Sequence, residues 1–127
     1  MQKYKPKKKI TSQQKKSKLK RKLDRIIQEK GREVYDRCMV CGSEYSCLHH
    51  YYTKSMSLRL RYDWENLIPL CAGCHFSHHN GNPEIHNKVR DIKGEDWLKE
   101  LEAKKRQIAN DTIEYYEDLL TKFNRVV

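Results

Sequence analysis

Four of the chain's five cysteines stand in two pairs, Cys38-x-x-Cys41 and Cys71-x-x-Cys74, with 29 residues between them. Two pairs at this spacing read as a tetrahedral zinc site, and four thiolates leave no open coordination position, so the metal is structural. Such a clamp fixes whatever lies between and beside its ends. Here that is His49, His50, Asn66 and a His-rich stretch that opens at His75. Five of the six histidines fall within residues 49–79, and the chemistry is expected there. Cys47 is left over; it reads as a small core residue on a strand, with a ligand or redox role as the alternative.

At 127 residues the chain has the length of one domain. With 35% charged and 37% hydrophobic residues its core is modest, and a structural metal offsets the shortage. No apolar run has the length of a membrane span, and no apolar segment backs the lysine-rich start as a signal peptide requires. An odd number of cysteines, four at metal spacing, points to a reducing cytoplasm rather than a disulfide framework. The net charge of +10 is unevenly placed. Residues 1–37 hold 15 Lys+Arg against 4 Asp+Glu, and the first 22 residues hold 11 basic groups and no acid. Such a tail fits nucleic-acid phosphates by counterion release, with a solubilising arm as the plainer reading.

Residues 1–16 have almost no apolar content and are expected to be a disordered basic arm. A basic helical lead-in follows over 17–37. Leu19, Leu23, Ile26 and Ile27 make its apolar stripe, surrounded by Lys18, Lys20, Arg21, Lys22 and Arg25, and Gly31 ends or breaks it. Tyr45–Thr53 reads as a strand, Lys54–Glu65 as an irregular loop, and Asn66–Leu70 as a second short strand whose Pro69 suits an edge. A helix is expected after Cys74 and stops at Asn80-Gly81-Asn82-Pro83. Residues 83–127 form a helical extension: a short helix over 84–93, then two longer ones near 95–109 and 111–124. Trp97, Leu98, Leu101 and Ile108 supply one core stripe; Ile113, Tyr116, Leu120 and Phe123 supply the other.

The histidines form a second, cysteine-free constellation. His75 and His79 are four apart on one helix face and can present imidazoles to one metal. A third imidazole from the strand would complete a three-ligand site that keeps positions open for a phosphate oxygen and water. The adjacent strand histidine then serves as general base, since neutral imidazole accepts a proton near pH 7. Each histidine taken singly could be a satisfied polar residue.

The order Cys-x-x-Cys, His49-His50, Asn66-Leu-Ile-Pro-Leu, Cys71-x-x-Cys74-His75 resembles the HNH nuclease superfamily with its ββα-metal fold. The resemblance covers residues 38–79. It implies an α+β protein with a small zinc-stapled core over 38–82, His50 as the base that activates water, and Asn66 as the brace of the loop that orients it. His49 stands where many such enzymes carry aspartate, and the pattern His-His, Asn, His-x-x-x-His is similar to that of colicin-type toxin nucleases. That likeness implies His49, His75 and His79 as catalytic metal ligands. Imidazoles suit zinc, nickel, cobalt or manganese better than magnesium, and the catalytic metal stays open among manganese, nickel, zinc and magnesium.

A basic helical lead-in, His50-Tyr51, Leu58-Arg59-x-Arg61-Tyr62 and a helical tail also resemble the phage NinG/Rap family of recombination endonucleases. This implies a phage-encoded enzyme in a bacterial cytoplasm that cuts branched DNA, such as a Holliday junction or D-loop; metal-assisted hydrolysis with His50 as base is expected to leave 5′-phosphate ends. Cutting a four-way junction symmetrically favours a homodimer. Lys54, Arg59 and Arg61 are candidate phosphate contacts beside the site, joined by Lys20, Arg21, Lys22 and Arg25 on the lead-in; each could equally be a solvated surface charge. The rival readings are a noncatalytic zinc-dependent DNA-binding adaptor and an HNH nuclease that assists DNA packaging.

Overall fold

The computed structural model describes residues 9–125. Six helices surround one two-stranded sheet: α1 (Ser12–Val34), β1 (Cys47–His50), α2 (Leu58–Arg61), β2 (Leu67–Leu70), α3 (Ala72–His79), α4 (Glu84–Lys93), α5 (Glu95–Lys105) and α6 (Ile113–Arg125). A 3-10 turn at Trp64–Asn66 leads into β2.

Helix α1 starts five residues before the expected Ser17. Its start is set by a capping box: the Gln14 amide donates to Thr11 Oγ1 at 3.1 Å, and the Thr11 amide donates to Gln14 Oε1 at 2.8 Å. The expected disorder of residues 1–16 therefore fails from Ser12 onward; the part of that arm over 1–8 lies outside the described residues. Gly31 does not end the helix either. It is a buried interior residue, and a Cβ there would sit 2.4 Å from Tyr45 Oη and 2.7 Å from Leu48 Cγ. Glycine stands at this position because the helix backbone touches the β1 side of the protein.

The two strands are antiparallel, with Cys47 opposite Leu70, Leu48 opposite Pro69, His49 opposite Ile68 and His50 opposite Leu67. Alternation along the strands sends the two faces of the sheet into two cores. Ile68 and Leu70 join Leu60, Ile85, Val89 and Leu101 on one side. Leu48 and Leu67 join Leu23, Ile27, Tyr116 and Leu120 on the other, where α6 packs along α1. Tyr116 is fully buried, and its hydroxyl donates to Asp111.

Strand β1 is shorter than the expected Tyr45–Thr53. The Tyr45 amide turns to the Asp36 carbonyl, and the Tyr52 amide is taken by the Asn66 side chain, so both ends leave the ladder. The expected loop over 54–65 contains α2, capped by Ser57, whose Oγ accepts from the Leu60 amide at 3.2 Å. Helix α3 begins before Cys74, at Ala72, because Cys71 caps it. Helix α5 stops at Lys105, and Ile108, expected in its core stripe, is 93% exposed beyond its end. No helix among the described residues is long and apolar enough to cross a membrane.

The contact at Gly31 gives a test. Alanine favours a helix over glycine by about 1 kcal/mol, yet overpacking typically costs about 1–3 kcal/mol. Gly31→Ala is expected to lower the unfolding midpoint in thermal or urea melts; a more stable variant would show that the helix and β1 are not in close contact.

Candidate metal centres

The first pair of cysteines lies on a knuckle closed by two hydrogen bonds, Cys38 amide to Ser43 carbonyl at 2.7 Å and Gly42 amide to Cys38 carbonyl at 3.1 Å. Gly42 takes φ 75°, the left-handed conformation that glycine adopts at no steric cost. The Met39 amide donates to the Pro69 carbonyl at 2.9 Å and ties the knuckle to β2. The second pair straddles the start of α3, where Cys71 Sγ accepts from the Cys74 amide at 3.3 Å. The four sulfurs lie within 4.8 Å of one another, with Cys41 and Cys71 at 3.5 Å. Four thiolates at a zinc–sulfur distance of ~2.3 Å stand about 3.8 Å apart, so this donor set could hold zinc. Hydrogen bonds from Ser43 pull the Cys41 thiol down to about 6, while burial pushes Cys74 up. A cation among the sulfurs would favour the thiolate at all four. Cys47 is not in this group; it lies on β1 and lines a neighbouring cleft.

The second centre is built from β1 and α3. His49 and His50 point to opposite sides of the strand. His49 meets the helix, with ring centroids 5.4 Å from His75, 4.5 Å from His78 and 5.7 Å from His79. His75 and His79, one turn apart, bring their Nε2 atoms to 2.9 Å. One nitrogen from each of His49, His75 and His79 lies within 4.8 Å of the others. This spacing and donor type fit a divalent transition metal held by three imidazoles. Burial, reinforced by the neighbouring imidazoles, pushes His49 down to about 3 and lowers His75. Both are therefore neutral near pH 7 and have lone pairs to offer. His78 backs His49, and beyond it His86 packs on Tyr51 with centroids 3.8 Å apart. His86 was not legible as part of this cluster, because it comes from α4, beyond the motif.

His50 turns the other way. Its Nε2–H donates to the Arg61 carbonyl at 2.8 Å, which leaves Nδ1 as the acceptor nitrogen. Burial lowers its pKa, partly opposed by the Arg61 carbonyl. Asn66 is fully buried. Its Oδ1 accepts from the Tyr52 amide at 2.9 Å, and its Nδ2 donates to the carbonyls of Tyr52 at 3.0 Å and Leu60 at 3.1 Å. One side chain thus clasps both ends of the segment between β1 and the Arg61 carbonyl. An open cleft of about 510 Å³ lies over the site, with His49, His50, His75, His79 and Lys54 in its walls.

The basic candidates divide. Lys54 lines the cleft. Arg59 and Arg61, candidates for phosphate contact, are paired within the chain at its partly exposed surface: Arg59 bonds Asp63 at 2.9 Å and Gln107 at 3.1 Å, and Arg61 bonds Asp24 at 2.9 Å. Lys20 lies over the Tyr116 ring and pairs with Asp111 at 3.3 Å, so it serves the α1–α6 contact. Arg21, Lys22 and Arg25 are exposed on α1. The Arg59–Asp63 pair is only four residues apart, whereas Arg61 and Lys20 take acidic partners far along the chain, which charge type alone does not reveal. Asp24 and Gln28 were missed for the same reason.

Two centres of different chemistry predict two metal stoichiometries. Elemental analysis of the metal-saturated protein is expected to give two ions per chain, and His75→Ala or His79→Ala to give one with the fold retained. A single ion in the wild type would remove the second centre.

No curated protein and no solved structure matches the chain. Residues 38–81, which carry both centres together with His50 and Asn66, match the family model of the HNH endonuclease, and this supports a nuclease of the HNH type acting on DNA.

Proposed function

We propose that this chain is a metal-dependent endonuclease that hydrolyses DNA phosphodiester bonds at branched recombination intermediates, Holliday junctions or D-loops, in a bacterial cytoplasm. The observation that carries the nuclease reading is the position of His50. It faces the same cleft as the three-imidazole cluster, with its Nε2 committed to the Arg61 carbonyl and its Nδ1 left to accept a proton.

In this reading His50 Nδ1 takes a proton from water as the water attacks phosphorus, and the P–O3′ bond breaks to leave 5′-phosphate and 3′-hydroxyl ends. His49, His75 and His79 would hold a divalent cation, which when bound would supply charge stabilisation for the phosphate and the leaving oxygen. Zinc, nickel and manganese suit these donors better than magnesium. Asn66 keeps the Tyr52–Leu60 segment closed, so the carbonyl that orients His50 stays in place. Lys54 offers a cation to the DNA backbone at the cleft. Arg21, Lys22 and Arg25 add sequence-independent, salt-sensitive affinity along α1.

The branched substrate and the phage setting rest on the likeness of the lead-in, the His50-Tyr51 strand and the helical tail to the NinG/Rap enzymes. Two active sites for a four-way junction would come from a homodimer. A noncatalytic adaptor would keep the zinc clamp and the basic helix without needing an oriented His50, which is why the nuclease reading is favoured.

Plasmid nicking in manganese or nickel tests the chemistry. His50→Ala is expected to reduce nicking by about 10²–10⁴-fold while zinc content and circular dichroism stay as in the wild type; undiminished nicking would remove His50 as the base. Substrate choice is read by competition. A four-way junction is expected to be cut in preference to linear duplex of the same sequence, and equal cutting of both would favour the packaging role instead.

A further inference from the structure

Helix α1 has a second, half-buried face besides the apolar one that meets α6. Asp24, Gln28 and Gly31 stand at i, i+4 and i+7, a single row along the helix. Each member contacts the catalytic half of the protein. Gly31 lies against Tyr45 and Leu48. Gln28 pairs with both main-chain groups of Leu48 on β1, accepting from its amide and donating to its carbonyl, each at 3.0 Å. Asp24 Oδ2 accepts from Arg61 Nη2 at 2.9 Å and lies 3.6 Å from Lys54 Nζ.

Arg61 is the residue whose carbonyl holds His50. It is also the last residue of α2, a helix of only four residues. Carbonyls at a helix C-terminus have no partner within the helix, so this one is free to take the imidazole N–H. Within the helix the Arg61 main chain is held by one bond, its amide to the Ser57 carbonyl at 3.1 Å. Asn66 secures the Leu60 carbonyl just before it, and Asp24 secures the Arg61 side chain from the opposite direction.

Stability alone does not account for this ion pair. The Asp24 and Arg61 side chains are 25% and 20% exposed, and Asp24 Oδ1 and Arg61 Nε are buried with no partner. Partly buried pairs with unsatisfied atoms gain little net stability, and apolar replacements often do as well. What the pair does supply is a fixed position for Arg61.

We propose that Asp24 is a positioning residue for the reaction: through Arg61 it fixes the carbonyl that orients His50, and it restrains Lys54 at the cleft. The role rests on the assignment of His50 as general base. It places a functional residue outside the segment that matches the HNH endonuclease model.

The test compares Asp24→Asn, Asp24→Glu and Arg61→Met with the wild type in full-length, metal-loaded protein. A displacement of about 1 Å at a reacting group can cost 10²-fold, so kcat for plasmid nicking is expected to fall about 10- to 100-fold in Asp24→Asn and Arg61→Met. KM should stay level or fall, because Lys54 is released toward phosphate. Asp24→Glu, which keeps the carboxylate, should recover part of the loss. The second readout is independent of activity. The ¹⁵N shifts of His50 should report one tautomer, protonated at Nε2, in the wild type, and averaging between both nitrogens in Asp24→Asn and Arg61→Met. Wild-type kcat and a single tautomer in both variants would overturn the proposal. So would a lowered melting temperature with both readouts unchanged, which is the mark of a structural pair. A wild type that fails to nick DNA would defeat the nuclease reading, and the ¹⁵N shifts would still decide the role of Asp24.

Discussion

The convergence of four sulfurs is the constraint on which the rest of this protein depends. Its sheet has two strands of four residues each, far below what holds itself together in water. The cysteine group joins the knuckle after α1 to the start of α3, and the Met39–Pro69 hydrogen bond carries that junction onto β2. Because Cys71 caps α3 and Cys74 lies in its first turn, the same group sets where the helix begins and how it is turned. His75 follows Cys74 directly, and His79 lies one turn on. The direction of both imidazoles is therefore inherited from the sulfur cluster.

Electrostatics completes what the sulfurs begin. Burial and mutual repulsion keep the imidazoles of His49 and His75 uncharged near neutral pH, so protonation does not compete with a cation there. His50 is neutral for a related reason, but its hydrogen bond to a carbonyl chooses which nitrogen carries the proton. Two adjacent residues of one strand thus have different surroundings. The pleat sends one toward α3 and the other toward α2.

What could be read from the sequence was what covalent spacing fixes. The Cys pairs, the His doublet and the i, i+4 histidines carry their geometry in their numbering, and the structure brings the same residues together. The rest depends on partners far along the chain. Asp24 acts on a residue 37 positions away and Gln28 on one 20 positions away, and neither stands out in a lysine-rich helix. Arg59 and Arg61 were read as phosphate contacts or solvated charges; the acid that pairs with Arg61, Asp24, lies on a distant element, whereas the Arg59–Asp63 pair was open to reading at four residues' spacing. Gly31 was read as a helix stop because its real cause, contact with Tyr45 and Leu48, is tertiary. The early start of α1 was legible in principle, since Thr11 and Gln14 have capping-box spacing, but residues 1–16 were read as disordered from their lack of apolar content.

The amide of Gln28 has a consequence for self-association. An unpaired strand margin is a template on which a second chain can extend a sheet, and proteins commonly guard it with charge, proline or a bulge. Here the glutamine occupies the Leu48 N–H and C=O in the manner of a neighbouring strand, one residue wide. A second copy could not dock by sheet extension on that side without expelling Gln28. The margin of the strand that carries both histidines is thereby closed to that mode of association.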